Sequence, residues 1–155
     1  MAECWTINGV LLYGRSLFKF NMSPIPAGAI INSAKLVLFS DTLPDNGDLI
    51  HANYGTTNDF WIQRVAGAWD QNTNFNTLPS LDTAGEVHVP QTSQPFLNLN
   101  LDVTTMVNNM ATNGNNGFEM KLNTEQLYNS RIFCSSLYSD TTRRPYLSVT
   151  YTVHP

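Results

Sequence analysis

The residues most suited to chemistry in this chain are aromatic rings set among neutral polar side chains. Trp5, Tyr54, Trp61 and Tyr138 are the rings that we expect to be available to a ligand. A flat ring beside hydrogen-bonding groups matches a sugar, which presents a C–H face and a ring of hydroxyls. The alternative is that these rings pack into the fold, and the sequence leaves both interpretations open.

Three arginines extend this hypothesis to acidic ligands. Arg15, Arg64 and Arg131 each offer a planar guanidinium that binds a carboxylate, such as that of a uronate, through two parallel hydrogen bonds. The same geometry suits pairing inside the protein. For Arg64 and Arg131 the candidate internal partners are Asp70 and Glu125.

A polar segment that carries large rings runs from residue 64 to 79. Trp69 and Phe75 stand there among Asn, Thr, Asp and Gln, which indicates an amphipathic surface loop. Its rings either close one end of a β-core or stack on a ligand, and for Trp69 we favour the first.

A weak metal-binding pattern lies in the segment Asp-Asn-Gly-Asp. Asp45, Asn46 and Asp48 are closely spaced oxygen ligands of the kind that Ca²⁺ prefers. EF-hand spacing is absent, and Asp-Asn-Gly is a turn sequence in its own right. A plain turn is therefore favoured, and no cofactor is expected apart from this calcium candidate.

Catalytic signatures are missing from the sequence. It contains no Gly-x-Ser-x-Gly, His-Glu-x-x-His, P-loop or Cys-x-x-Cys motif. Glu125 and Asp140 can be imagined as a hydrolytic carboxylate pair, but surface carboxylates or an arginine partner explain them more simply. We predict that the protein is not an enzyme.

The length and the net charge of the chain limit the classes of partner that we expect. The chain has 155 residues, enough for one domain with a core of its own, and a net charge of −4. Without a basic stripe, a nucleic acid is not expected as a partner. No apolar run approaches the roughly 18 residues that a membrane span needs.

The type of polar residue and the two cysteines bear on the cellular compartment in which the protein acts. Only 13% of residues are charged, so neutral side chains carry the polarity, as is typical of an extracellular β-protein. The chain shows no export signal after Met1, so Met1 is not expected to be the native start. Cys4 and Cys134 form either a disulfide across a long loop or two buried reduced thiols.

Period-two alternation of apolar residues dominates and predicts short strands. We predict strands over 4–7, 10–13, 16–22, 34–40, 60–65, 86–89, 96–101, 118–122, 131–135 and 146–153. The exception is the helical spacing of Val103, Met106, Val107 and Met110, with Asp102 as N-cap and a stop at 113–114. This pattern predicts an all-β fold: an antiparallel two-sheet sandwich of jelly-roll type with one short α-helix.

Four blocks of the sequence resemble the DNRLRE (disaggregatase-related) family of secreted β-sandwich modules. These are residues 14–39, with Arg-Ser-Leu-Phe-Lys-Phe; 64–79, with Arg-Val-Ala-Gly-Ala-Trp-Asp; 101–118, with Asp-Val-Thr; and 124–151, with Arg-Pro-Tyr-Leu-Ser-Val-Thr-Tyr. Gln71, Phe75 and Met110 replace a Glu and two Trp residues of the family pattern. The resemblance covers residues 14–151 and is more specific for the fold than for the ligand.

The resemblance implies a single domain over residues 1–155 that acts outside the cell. Some family members are alginate-binding modules, so a polysaccharide or cell-surface glycan, acidic glycans included, is the implied partner. Family domains open with a further strand segment, and this chain starts after most of it. A rival hypothesis is therefore a structural or adhesive subunit that self-associates, because another chain supplies a strand at the open sheet edge.

Overall fold

The computed structural model describes residues 1–153, and strands account for most of its regular structure. The strands are β1 (Ala2–Ile7), β2 (Val10–Gly14), β3 (Ser16–Phe18), β4 (Ile30–Leu38), β5 (Asn53–Tyr54), β6 (Phe60–Val65), β7 (Leu81–Val89), β8 (Leu99–Asp102), β9 (Phe118–Leu122), β10 (Asn129–Arg131) and β11 (Tyr146–Thr152). Helix α1 (Thr104–Asn113) lies between β8 and β9. The predicted all-β class with one short helix is confirmed.

The strands form three antiparallel sheets. The first sheet has the order β2-β1-β10-β5, the second β11-β4-β8 and the third β3-β9-β6-β7. A single bridge between Ser40 and Phe133 links the first two sheets, supported by the Cys134 N–H, which donates to the Phe39 carbonyl at 2.8 Å. The β-sandwich is confirmed, but its strands divide into three sheets because this link is only a bridge.

Alternation along the strands builds one core. Phe60 and Ile62 of β6 are fully buried, while Trp61 between them is only half-buried. On β9, Phe118, Met120 and Leu122 share the core-facing side, because successive side chains of a strand point to opposite faces, but Glu119 between them is buried as well. The core draws on all three sheets and on α1 through Cys4, Leu36, Phe60, Ile62, Met106, Val107, Met110, Phe118, Met120 and Phe133.

Helix α1 begins one residue later than the sequence indicated. Val103 occupies the N-cap position and makes no side-chain cap bond. Asp102 still satisfies the helix start, because its Oδ1 accepts from the Thr104 N–H at 3.0 Å. At the other end, Gly114 has φ 97° and its N–H donates to the Met110 carbonyl, so the predicted stop is confirmed.

Two features of the first sheet matter for the site. Asn8 and Gly9 have φ angles of 50° and 78° and close the hairpin from β1 to β2, as the Asn-Gly pair predicts. The two-residue strand β5 was not predicted, because two residues are too short to show alternation. It pairs with β10 and thereby places Tyr54 in this sheet.

Candidate functional site

An aromatic cleft lies on the outer face of the first sheet. Cys4 points into the core, so its neighbour Trp5 points outward. The Trp5 ring centroid lies 5.3 Å from that of Tyr54 and 5.2 Å from that of Tyr128. We call this the Trp5 cleft; it has a volume of about 510 Å³ and is lined by Trp5, Gly47, Asp48, Leu49, Tyr54 and Tyr128.

Backbone geometry fixes the two tyrosines of the cleft. Tyr128 has φ 62°, a left-handed conformation that bulky residues rarely adopt, and its N–H donates to the Cys4 carbonyl at 2.8 Å. Gly55, with φ 90°, lets the chain after Tyr54 approach closely, because a Cβ added there would overlap Asn129 Oδ1. The backbone after Tyr54 therefore packs against both the Tyr128 carbonyl and the Asn129 side chain.

The loop beside the cleft contains the predicted calcium ligands. Asn46 Oδ1 accepts from the Asp48 N–H at 3.1 Å, and Asp48 Oδ1 accepts from the Ile50 N–H at 3.2 Å. These oxygens stabilise consecutive turns. Within residues 1–153, no group of three or more His, Cys, Asp or Glu side chains is arranged to hold a metal ion. Calcium binding by Asp45, Asn46 and Asp48 stays a prediction.

Arg15 and Arg64 both pair with carboxylates of the chain. Arg15 donates from Nε and Nη2 to the two oxygens of Glu125 at 2.7 and 3.0 Å, and this bond raises the pKa of Arg15. Arg64 donates from Nε to Asp82 at 3.1 Å. The internal pairs thus differ from those considered in the sequence, because Glu125 is bound by Arg15 and Arg64 binds Asp82 instead of Asp70.

Arg131 is fully buried. Its Nη1 donates to the Pro90 carbonyl at 2.9 Å, and its guanidinium lies 4.8 Å from the centre of the Phe60 ring. Burial lowers the pKa of Arg131 to about 10. A ligand at the surface does not reach this side chain in the structure.

Trp61 and Tyr138 lie apart from the Trp5 cleft. Trp61 belongs to the third sheet, donates from Nε1 to Asn123 Oδ1 at 2.8 Å and lies 4.7 Å from the His88 ring. Tyr138 follows the first sheet in a loop, where its carbonyl accepts from Arg144 at 2.9 Å. Of the predicted rings, the structure therefore brings only Trp5 and Tyr54 together.

The two large rings of the loop over residues 64–79 lie in different surroundings. Trp69 donates from Nε1 to the Asn116 carbonyl at 2.6 Å, which anchors the half-buried indole in the fold. Phe75 is 51% exposed, and the Arg15 guanidinium lies 4.7 Å from its ring centre.

Cys4 and Cys134 are both buried and free.

Tyr128 is the aromatic residue of the cleft that sequence reasoning missed. It lies inside a block that carried the family resemblance, yet nothing in its neighbours marks a ring directed at Trp5. The signal is a positive φ at a tyrosine, which only the three-dimensional structure reveals.

The sequence model of carbohydrate-binding module family 96 matches residues 12–151. The chain belongs to this family. Its members are carbohydrate-binding modules, so the predicted class of a carbohydrate-binding protein is confirmed, whereas the DNRLRE designation stays a prediction. No curated protein and no solved structure matches the chain significantly.

The match to family 96 includes Tyr54 and Tyr128 and leaves Trp5 outside it. The tyrosines of the cleft thus lie within the segment that the family model matches, and β1 adds the indole. Among the described helices, none has the length and apolar character needed to cross a membrane.

Proposed function

We propose that this family 96 module binds polysaccharide in the Trp5 cleft, outside the cell, and does not transform it. The observation that supports this proposal most strongly is the convergence of three rings at an open cleft. Ring faces bind the C–H faces of sugars, and the volume falls within the range of ligand sites.

Polar groups at the ring ends provide the hydrogen bonds that a sugar requires. The Trp5 indole contributes an N–H donor, and the hydroxyls of Tyr54 and Tyr128 both donate and accept. Asp48 adds a carboxylate acceptor to the cleft lining. Rings with polar ends of this kind favour binding of a hydroxyl-rich ligand over an aliphatic one.

The cleft lining argues against hydrolysis. Glycosidases require two carboxyl groups flanking the scissile bond, and Asp48 is the one carboxylate among the six lining residues. Glu125, the acid considered as a catalytic residue, is held by Arg15. These arrangements support a binding role without chemistry.

Affinity electrophoresis in gels containing different polysaccharides tests the proposal. We expect at least one glycan to retard the wild-type protein, and Trp5→Ala or Tyr54→Ala to weaken binding about tenfold or more, as expected for a central anchor. Trp61→Ala, in a different sheet, is the matched aromatic control and should bind normally. Wild-type mobility that no glycan changes would contradict the proposal.

A second candidate function, a subunit that assembles by strand addition, is favoured by a groove on the third sheet. The groove has a volume of about 520 Å³, and runs of consecutive residues, 16–20 and 133–136, line it. β3 is an edge strand. β3 therefore borders a space that also reaches the core residue Leu38, and a strand from a second copy can add at this edge.

Sedimentation velocity over a range of concentrations tests this second function. Assembly through the groove predicts larger species at high concentration, and Ser136→Glu, which places a charge in the groove, should abolish them. Ser139→Glu, in the same loop but outside the residues that line the groove, is the control. A single monomeric boundary at every concentration would exclude self-assembly by this route.

A further inference from the structure

We infer that the module has a second glycan-binding site, on the opposite face of the β1–β2 hairpin from the Trp5 cleft. The site is a cleft of about 290 Å³ beside the loop over residues 64–79, and we call it the Phe75 cleft. Its lining includes Tyr13, Trp69, Gln71, Asn74 and Phe75. The inference rests on the proposed function for the class of ligand, a polysaccharide, and adds a second place on the module where a chain segment binds.

Two exposed aromatic rings form the apolar part of the Phe75 cleft. Tyr13 is 42% exposed and Phe75 is 51% exposed, and their ring centroids lie 6.1 Å apart. The Arg15 guanidinium lies 4.7 Å from the centre of the Phe75 ring and covers one of its faces. The exposed part of Phe75 is therefore its edge and its other face, to which the C–H face of a sugar can bind.

Polar side chains beside these rings have free hydrogen-bonding groups. The Asn74 Oδ1 accepts from the Asn76 N–H at 3.0 Å, whereas the Asn74 Nδ2 makes no hydrogen bond to any residue within 1–153. The side-chain amide of Gln71 also has no protein partner in this range. Both amides line the cleft and can donate to the oxygen atoms of a sugar.

The Phe75 cleft is formed before a ligand binds. Asn74 and Thr77 make a reciprocal capping box around the short 3₁₀ turn that begins at Phe75. Glu125 holds Nε and Nη2 of Arg15 beneath the ring. Arg15 thus supports the position of Phe75, and we assign the ligand contacts to the two rings and the two amides. A preformed site loses less conformational entropy on binding than a mobile one.

The pairing of β1 with β2 places the two clefts on opposite faces of the hairpin. Tyr13 lies opposite Cys4, and Leu12 lies opposite Trp5. Side chains of directly opposed residues lie on the same face of a sheet. Because Cys4 points into the core and Trp5 points outward, Tyr13 lies on the face that Trp5 does not occupy. The two clefts also share no lining residue, so one short oligosaccharide cannot fill both.

Two separate sites affect how the module binds a polymer. A polysaccharide repeats the same segment many times, so a module held at one cleft meets further segments at a high effective concentration at the other. Binding to the polymer is then tighter than binding at either cleft alone. Loss of either cleft should therefore weaken binding to the polymer, although the remaining cleft is unchanged.

Affinity electrophoresis of the full chain tests the second site, in gels containing alginate, polygalacturonate, galactomannan or xyloglucan. We expect Phe75→Ala to weaken binding to the retarding glycan by about tenfold or more. The double variant Trp5→Ala/Phe75→Ala should migrate as it does without glycan. Phe96→Ala replaces a surface phenylalanine outside both clefts, so it is the matched control and should bind like the wild type.

A second variant and a count of sites complete the test. Gln71→Ala removes an amide without a protein partner, so thermal stability should stay unchanged while glycan binding weakens by about three- to tenfold. Native mass spectrometry with hexasaccharides prepared from the same four glycans counts the chains bound per molecule. We expect two on the wild type and one on either Trp5→Ala or Phe75→Ala.

The failure of this inference is distinguishable from that of the proposed function. Wild-type affinity in both Phe75→Ala and Gln71→Ala, with one hexasaccharide per wild-type molecule, would overturn the second site and leave binding in the Trp5 cleft intact. Retardation that Phe75→Ala abolishes and Trp5→Ala leaves unchanged would support the Phe75 cleft and overturn the assignment of the Trp5 cleft. Unchanged wild-type mobility in all four gels would overturn the proposed function itself.

Discussion

The ring of Tyr128 stands 5.2 Å from that of Trp5 at an angle of 79°, although the Tyr128 backbone adopts φ 62°. This conformation costs an L-residue roughly 1–2 kcal/mol. Strained residues persist where the surrounding structure holds them, and they cluster at functional sites. The relationship therefore links a local backbone cost to the position of a ring in the Trp5 cleft, the proposed binding site.

Replacing Tyr128 by Asn should separate stability from binding. Asn tolerates the left-handed region, so relief of strain offsets the lost ring contact, which is worth about 0.5–1.5 kcal/mol. We expect the free energy of unfolding to stay within about 1 kcal/mol of wild type and glycan affinity to fall. Urea denaturation and affinity electrophoresis measure the two effects, and unchanged affinity would exclude a role for this ring.

Removing the Arg15 side chain should affect stability and leave glycan binding intact. Arg15→Ala eliminates two charge-assisted bonds to Glu125 and the contact with Phe75. Because the site is partly exposed, we expect a loss of about 1–2 kcal/mol in thermal or urea unfolding. Arg15→Lys, which keeps the charge and loses the fork, should recover only part of it. Loss of glycan affinity in a folded Arg15→Lys variant would instead place Arg15 in the binding site.

Arg131 offers a test of whether a buried guanidinium is needed for stability. Its Nε and Nη2 have no hydrogen-bond partner among the described residues. Arg131→Met keeps most of the volume over Phe60 and removes a desolvated charge, so we expect stability equal to or above wild type. Arg131→Ala leaves a cavity and should cost about 2–4 kcal/mol. Equal destabilisation by both substitutions in urea unfolding would show that the bond to Pro90 dominates.

Glu119 should make stability depend on pH. Its side chain is 1% exposed, and burial raises its pKa above the usual 4.5 despite Lys121 and Arg15 nearby. The folded state then binds the proton more tightly, so this group's contribution is full below pH 4.5 and is lost as pH rises through the folded pKa.

The substitution Glu119→Gln should remove that loss. We expect the variant to gain stability relative to wild type at neutral pH, and the gain to shrink towards zero as pH falls to about 4.5. Thermal melts of both proteins across this range measure the difference. A gain that grows on acidification would reverse the assigned direction of the pKa shift.

Most strands could be predicted from the sequence, because burial of one face of a strand requires apolar residues at alternate positions. The bounds of β6 and β9 coincide with the alternating segments 60–65 and 118–122. The segment 16–22 was predicted as one strand but pairs only over Ser16–Phe18. Apolar residues beyond Phe18, such as Phe20 and Met22, pack against the core without strand pairing, which the pattern cannot distinguish.

The site was only partly predictable for a related reason. Trp5 and Tyr54 were recognisable by residue type, but their meeting depends on β10 lying between β1 and β5. The arginines were predicted to bind a ligand, but Arg15 and Arg64 pair with carboxylates of the chain. The sequence cannot separate these two cases, since an arginine that pairs internally and one that binds a ligand are the same residue type. Which carboxylate is within reach depends on contacts between distant segments, as between Arg15 and Glu125.

The β-rich class, the short helix and the absence of catalytic motifs could be read from the amino-acid order, because period, turn residues and motifs are local properties of the chain. Folding in three dimensions was needed to join Tyr128 to Trp5 and Tyr54, to bury Arg131 and to set the rings at steep angles. Those outcomes depend on strand order and backbone conformation. Both are determined by packing and hydrogen bonding between segments that are far apart in the chain.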